Sequence, residues 1–163
     1  ILKNFAISDE KDKEVIFNES ENDWESSLSH NKFYEKKLSN IKTTTIDALL
    51  DGQDIKDYFL LIKLDIEGHE FHAIKGGINS IKKYNPIIII ELSKYILDNN
   101  GNFNFLEIFL IDFDYSIYDT DNNPVNLVDV IELLNNLDID HKTIGNYYLI
   151  KNNDDIKKIL TDE

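Results

Sequence analysis

The sequence predicts an α/β domain built on an open, mostly parallel sheet, and three observations carry that expectation. Two runs, Tyr58 to Leu64 and Ile87 to Ile90, are almost wholly apolar, as strands covered on both faces by helices are. Between them Phe71, Ile74, Ile78 and Ile81 recur three or four residues apart, the stripe of an amphipathic helix, interrupted by Gly76 and Gly77. Strand, helix and strand within about thirty residues make a βαβ unit.

The other elements follow in chain order. Ile1 to Ile7 reads as a strand that stops at Ser8, Asp9 and Glu10, and Glu14 to Asn18 as a short β run. Glu19 to Asn40 is polar, with Trp24, Leu28, Phe33, Tyr34 and Leu38 scattered without a period; a stretch of this length inside a compact domain reads as a variable loop or lid. Ile41 to Thr45 is extended, and Thr45 caps a short helix at Ile46 to Leu50, with Asp47 favourably placed in its first turn. Burying each of Ile87 to Ile90 is worth roughly 1.5–3 kcal/mol, which makes that run the central strand. A helix at Phe103 to Phe113, a strand at Tyr115 to Tyr118, a turn at Asp121 to Pro124, a helix at Val128 to Leu137 and a late strand at Tyr147 to Ile150 beside the sheet edge complete the reading.

At 163 residues the chain is one domain, 1–163, with neither repeat nor dividing linker. Its formal charge of −14 opposes phosphate backbones and anionic lipid, so nucleic acid and membrane surfaces are not expected partners. The absence of cysteine excludes disulfides, thiolate metal sites and cysteine nucleophiles. No run approaches the roughly 20 apolar residues of a membrane span, and no signal-peptide pattern opens the chain, so a cytoplasmic location is expected. The chain has no methionine and opens on Ile1, which suggests a fragment beginning inside a longer protein.

Ligands of open parallel sheets collect beyond the carboxyl ends of the strands, which directs attention to Asp65, Glu67 and Glu91. Carboxylates from adjacent strand ends, crowded in one crevice, make a proton acceptor; equally, Asp65 or Glu67 caps the helix that starts here. Gly68 indicates a positive φ or a close backbone approach. His69 at the helix start is a further candidate acid or base, and His72, one turn on, combines with His69, Asp65 and Glu67 in a metal-like spacing that lacks a fixed third ligand. Ser8 and Asp9 close the first strand at the same edge, whereas His30 and His141 have no supporting neighbours. Asn18, Glu19 and Ser20 match a glycosylation pattern that arises often by chance.

The stretch LLIKLDIEGHEFHAIKGG, Leu60 to Gly77, followed by PIIIIEL, Pro86 to Leu92, resembles the FkbM-type family of S-adenosylmethionine-dependent methyltransferases. NFAISDE from Asn4 with EVIF after it, ESSL at Glu25 to Leu28, TTTIDALL at Thr43 to Leu50, FLEIFLIDFDYSIYD and GNYYLI resemble further parts of the family, so the likeness covers most of the chain. It implies a Rossmann-like methyltransferase fold with an antiparallel late strand, methyl transfer from S-adenosylmethionine to a hydroxyl of a small molecule or glycan, and no obligatory metal. On that resemblance Asp65 is the acceptor-side carboxylate, Glu67, His69 and Glu91 are supporting or alternative bases, and Ser8 and Asp9 border the adenine. The family's glycine-rich loop and ribose-binding acid have no counterpart here, so the chain reads as the C-terminal two-thirds of the domain, its N-terminal cofactor half missing.

Two other classes compete. A phospho-receiver domain would use Asp9 and Glu10, Asp65 and Lys94, but Asp9 and Asp65 lie too far apart for its short βαβ unit and no proline follows Lys94. A methyltransferase-like module without catalysis would keep the fold and serve binding. A fragment of this kind exposes the edge of the strand bearing Asp65 and is expected to self-associate or be marginally stable.

Overall fold

A computed structural model describes residues 4–19, 37–55, 57–98, 103–137 and 143–153. In chain order the elements are β1 (Ala6–Ile7), β2 (Glu14–Glu19), β3 (Lys37–Thr44), α1 (Ile46–Leu50), β4 (Leu61–Leu64), α2 (Glu70–Lys75) and α3 (Ile78–Tyr84), then β5 (Ile87–Ser93), α4 (Tyr95–Asp98), α5 (Phe103–Asp112), β6 (Tyr115–Tyr118), α6 (Leu127–Asn135) and β7 (Thr143–Lys151). They form an α/β structure with two mixed sheets, ordered β1-β3-β2 and β4-β5-β7-β6. Among the described residues no helix is long and apolar enough to cross a membrane.

Both sheets are mixed, and the four-stranded one has the expected arrangement: β4, β5 and β6 run the same way and the late strand β7 alone opposes them. In the three-stranded sheet β1 runs parallel to β3 and β2 antiparallel to it. On its return β7 enters between β5 and β6, against both. The late strand is thus antiparallel and lies beside the edge strand β6, and it is longer than its apolar run because it pairs on two sides.

The central position of the isoleucine run holds. β5 pairs with β4 and β7, and Ile88, Ile90 and Leu92 are fully buried. The run before it is different, because strand forms only over Leu61–Leu64 and Tyr58 and Phe59 are exposed. Within β4, Leu61 is 53% exposed and Leu64 only 4%. That alternation corrects the expectation of a strand covered on both faces: among the described strands β4 is an edge. An edge unpaired among the described strands, beside exposed apolar side chains, favours pairing with another chain. The protein is therefore expected to self-associate at micromolar concentration, and Leu61→Lys to shift it toward monomer in light scattering; an unchanged mass for the two would refute a role for this edge.

One helix over Glu67 to Tyr84 was also expected, and the structure divides it into α2 and α3 at Gly76 and Gly77. A Cβ at Gly76 would lie 2.1 Å from the carbonyl oxygen of Ser8, and one at Gly77 3.0 Å from Ile46 Cβ. The junction is therefore where two other segments press closely onto the backbone. Asp47 of α1 secures it: its amide donates to the Gly76 carbonyl at 3.0 Å, and its carboxylate accepts from the Ser80 amide at 2.7 Å and from Asn79 Nδ2 at 2.8 Å. Burial pushes the Asp47 carboxyl up, but these hydrogen bonds outweigh it and hold the group below the usual range. Thr45 caps α1 as expected, accepting from the Ala48 amide.

The aromatic side chains tie α2 to α5. Phe71 meets Phe103 edge-on at 5.5 Å, and Phe109 stacks with Phe113 at 5.0 Å. Residues 20–36 of the polar stretch, with Trp24, His30, Phe33 and Tyr34, lie outside the described residues, as does His141; Lys37 to Asn40 at its end belong to β3.

Candidate functional site

Parallel pairing of β4 with β5 places Leu64 opposite Ile90, so the next residues, Asp65 and Glu91, emerge side by side at the carboxyl end. Glu67 joins them: one carboxylate oxygen from each of Asp65, Glu67 and Glu91 lies within 4.8 Å of the other two. Asp65 is exposed and accepts from Lys63 Nζ at 2.7 Å. That hydrogen bond and charge, with Glu91 behind, raise the Lys63 ammonium above its ordinary value. The oxygen-only donor set is of the kind that suits a hard divalent cation, with the Lys63 ammonium already compensating one carboxylate.

The turn delivering Glu67 is unusual for its sequence. Glu67 has φ 55° and Gly68 φ 95°, and a glutamate in the left-handed region costs on the order of 1–3 kcal/mol unless its surroundings hold it there. Glu70 does so. Its side chain is fully buried and Oε1 accepts from the amides of Ile66 at 3.0 Å and Gly68 at 3.2 Å. Burial raises the Glu70 carboxyl above the usual range, with those amides opposing and Glu91 adding to the rise. This corrects the capping expectation: α2 begins at Glu70, its N-cap His69 makes no side-chain cap bond, and the carboxylate that accepts these turn amides belongs to Glu70.

A second cluster forms where β1 ends. Ser8 Oγ donates to Asp9 Oδ1 at 3.0 Å and lies 3.0 Å from His69 Nε2. A serine hydroxyl has one proton, so with it committed to Asp9 the Nε2–H of His69 donates to Ser8. His69 stacks on His72 with ring centres 4.3 Å apart and planes 8° apart. Burial, then the charge of His72, bring His69 down to about 4, and burial lowers His72 as well. For Asp9, burial pushes upward but the Ser8 hydrogen bond and the two histidines prevail, leaving the carboxyl lowered.

The four residues line a cavity of about 480 Å³ with Glu10, Lys13, Val15 and Ile16, a size usual for small-molecule pockets. His72 Nδ1 is buried there without a hydrogen-bond partner among the described residues. Another cavity of about 380 Å³, between α1 and α3, holds none of the candidate residues.

The sequence-derived candidates thus fall into two groups, Asp65, Glu67 and Glu91 on one rim and Ser8, Asp9 and His69 in one pocket. Neither His69 nor His72 joins the acidic group, so the metal-like spacing of histidines with Asp65 and Glu67 does not assemble. Lys94, which a receiver domain would need beside Asp65, instead donates to the Leu137 carbonyl at 2.5 Å. Glu70 and Gly76 were missed as functional candidates. For Glu70 a signal existed, because helical spacing puts it on the face of Ala73 and Ile74, and an acid on a buried stripe must have an internal partner.

The low pKa of His69 makes a pH prediction. The unfolded histidine takes its proton near pH 6.5 and the folded one near 4, so its contribution to stability is complete above 6.5 and is lost as pH falls toward 4. Glu70, raised in the fold by burial, acts in the opposite direction. Urea midpoints of the protein and of His69→Gln, which keeps a donor toward Ser8, should converge between pH 7 and 4.5; parallel curves would show that His69 does not titrate as described.

An α/β protein with carboxylates gathered at the carboxyl edge of a parallel strand pair belongs to the class whose ligands sit beyond that edge. The family model described as the methyltransferase FkbM domain matches residues 3–117, well over half the chain. The chain belongs to the FkbM methyltransferase family, and methyl transfer is the activity that membership supports. No curated protein and no solved structure matches it.

Proposed function

We propose that this chain serves S-adenosylmethionine-dependent methyl transfer to a hydroxyl group of a small molecule or glycan. The observation that carries the reading is the convergence of Asp65, Glu67 and Glu91 where β4 ends beside β5 in a chain of a methyltransferase family. The pocket suits one end of the donor: Val15, Ile16 and the stacked imidazoles offer apolar surface, and the Asp9 carboxylate offers an acceptor for a purine amine. Ser8 and Asp9 are accordingly the cofactor-side residues.

S-adenosylmethionine, when bound, would supply an electrophilic methyl group on its sulfonium, with the neutral thioether S-adenosylhomocysteine as the leaving group. The task left to the protein is placement of the acceptor near 3 Å and removal of its proton as the new bond forms. Asp65, exposed at the rim, takes that proton; its carboxylate is oriented by the hydrogen bond from Lys63. Glu67 and Glu91 keep the rim anionic, which favours hydroxyl donors and disfavours anionic acceptors. His69 is neutral near pH 7 with Nε2–H engaged at Ser8, so its part is to hold Ser8 and Asp9 at the cofactor side.

Calorimetric titration with S-adenosylmethionine and S-adenosylhomocysteine tests the donor, using the chain together with any residues its gene encodes upstream. Release of S-adenosylhomocysteine with a panel of sugar and phenolic hydroxyls tests the reaction. Absence of heat with either ligand would overturn the reading; binding without turnover on any acceptor would favour the binding module that lacks catalysis.

A further inference from the structure

We propose that Glu70 is a positioning residue for the acidic rim, its buried carboxylate fixing the turn that aims Asp65 and Glu67 toward Glu91. The consequence for catalysis rests on the methyl-transfer reading; the positioning itself does not.

Three observations combine. Glu70 Oε1 accepts from the amides of Ile66 and Gly68, the two residues flanking Glu67, so both sides of the rim glutamate are tied to one atom. Consecutive positive φ values at Glu67 and Gly68 turn the intervening backbone inward, the concave amide arrangement that receives an anion. The anion in this concavity is the chain's own carboxylate, held from below by α2, whose Phe71 and Ile74 are anchored in the core. Glu70 therefore links a rigid element to a strained turn, and the rim inherits its geometry from that link.

A space-filling role and a positioning role make different demands. A leucine at position 70 fills the volume but leaves the buried Gly68 amide and the half-buried Ile66 amide without this acceptor, whereas glutamine keeps the Oε1 carbonyl. Amide hydrogen exchange, read by NMR in the protein, Glu70→Gln and Glu70→Leu, separates them. Protection at Ile66 and Gly68 is expected in the protein and Glu70→Gln, with exchange at least about tenfold faster in Glu70→Leu while Ile88 and Leu149 stay protected.

Mn²⁺ alone serves as a paramagnetic probe of the rim. Localised broadening of the Ile66, Gly68 and Leu92 amides is expected in the protein and Glu70→Gln and is expected to be lost in Glu70→Leu. With an acceptor that supports turnover, Glu70→Leu should lower kcat on the order of 10²-fold, the effect of a misplacement near 1 Å, with donor affinity unchanged, and Glu70→Gln should restore most of it.

Retained protection in Glu70→Leu, exchange in Glu70→Gln as fast as in Glu70→Leu, or no localised broadening in the protein itself would each overturn the proposal. If the protein binds no S-adenosylmethionine, the methyl-transfer reading fails, while exchange and Mn²⁺ broadening still decide the role of Glu70.

Discussion

Asp65→Asn is expected to lower methyl-transfer turnover by roughly 10²–10⁴-fold, the usual worth of a positioned general base. The substitution is nearly isosteric and the side chain is exposed, so the fold should be unaffected and urea midpoints should agree. The asparagine amide cannot take the proton that leaves the acceptor hydroxyl. Donor affinity should persist, because the pocket formed by Ser8, Asp9 and His69 contains no contribution from Asp65. Loss of kcat with an unchanged Kd for S-adenosylhomocysteine is the expected signature. Turnover within threefold of the unsubstituted protein would move the base to Glu91 or Glu67, which share the rim, and Glu91→Gln is the next measurement.

Gly76→Ala is expected to destabilise the protein by about 1–2 kcal/mol, against the usual direction for glycine beside a helix. Its backbone, at φ −71°, suits alanine, and helix propensity alone would favour the change by up to about 1 kcal/mol. The added methyl, however, would stand 2.1 Å from a backbone oxygen at Ser8, which no rotamer change relieves. Overpacking of this kind costs typically about 1–3 kcal/mol and prevails. Because Ser8 is the residue displaced, its contact with His69 should be lost as well, visible as a shift of the His69 ring signals. Gly77→Ala should be milder, since the atoms it meets belong to the Ile46 side chain. A urea midpoint for Gly76→Ala at or above that of the protein would show that Ser8 does not press on this junction.

The βαβ unit was legible because its two halves carry opposite periodicities: continuous in Ile87 to Ile90, three and four in Phe71 to Ile81. The parallel pairing of β4 with β5, and with it the shared rim of Asp65 and Glu91, follows from that unit alone. Sheet order was less accessible. The apolar run in Tyr147 to Ile150 announces a strand, yet nothing local says that it enters between β5 and β6, since pairing is decided by partners distant in sequence. The exposure of Tyr58 and Phe59 was hidden for the same reason, because an apolar run reports what the residues prefer and not whether a neighbour covers them.

The site divided in the same way. Asp65, Glu67 and Glu91 could be placed together from strand ends, and Ser8 with Asp9 from the end of β1. That His69 turns to Ser8 depends on the approach of the Ser8 backbone to Gly76, a contact spanning 68 positions that no motif encodes. Glu70 was hidden by its neighbours, because three acids in six residues read as one charged turn, whereas burial singles out only one of them.

The insertion of β7 between β5 and β6 bears on how the molecule is made. A ribosome emits β5 and β6 long before the strand that must separate them, so until residues 143–151 have left the exit tunnel β6 lacks its lateral neighbour and β5 keeps a bare flank. Closure of this layer is thus a late event in synthesis. Premature stop codons ahead of position 143 should yield products that chaperones retain and proteases clear, however intact the acidic rim encoded upstream.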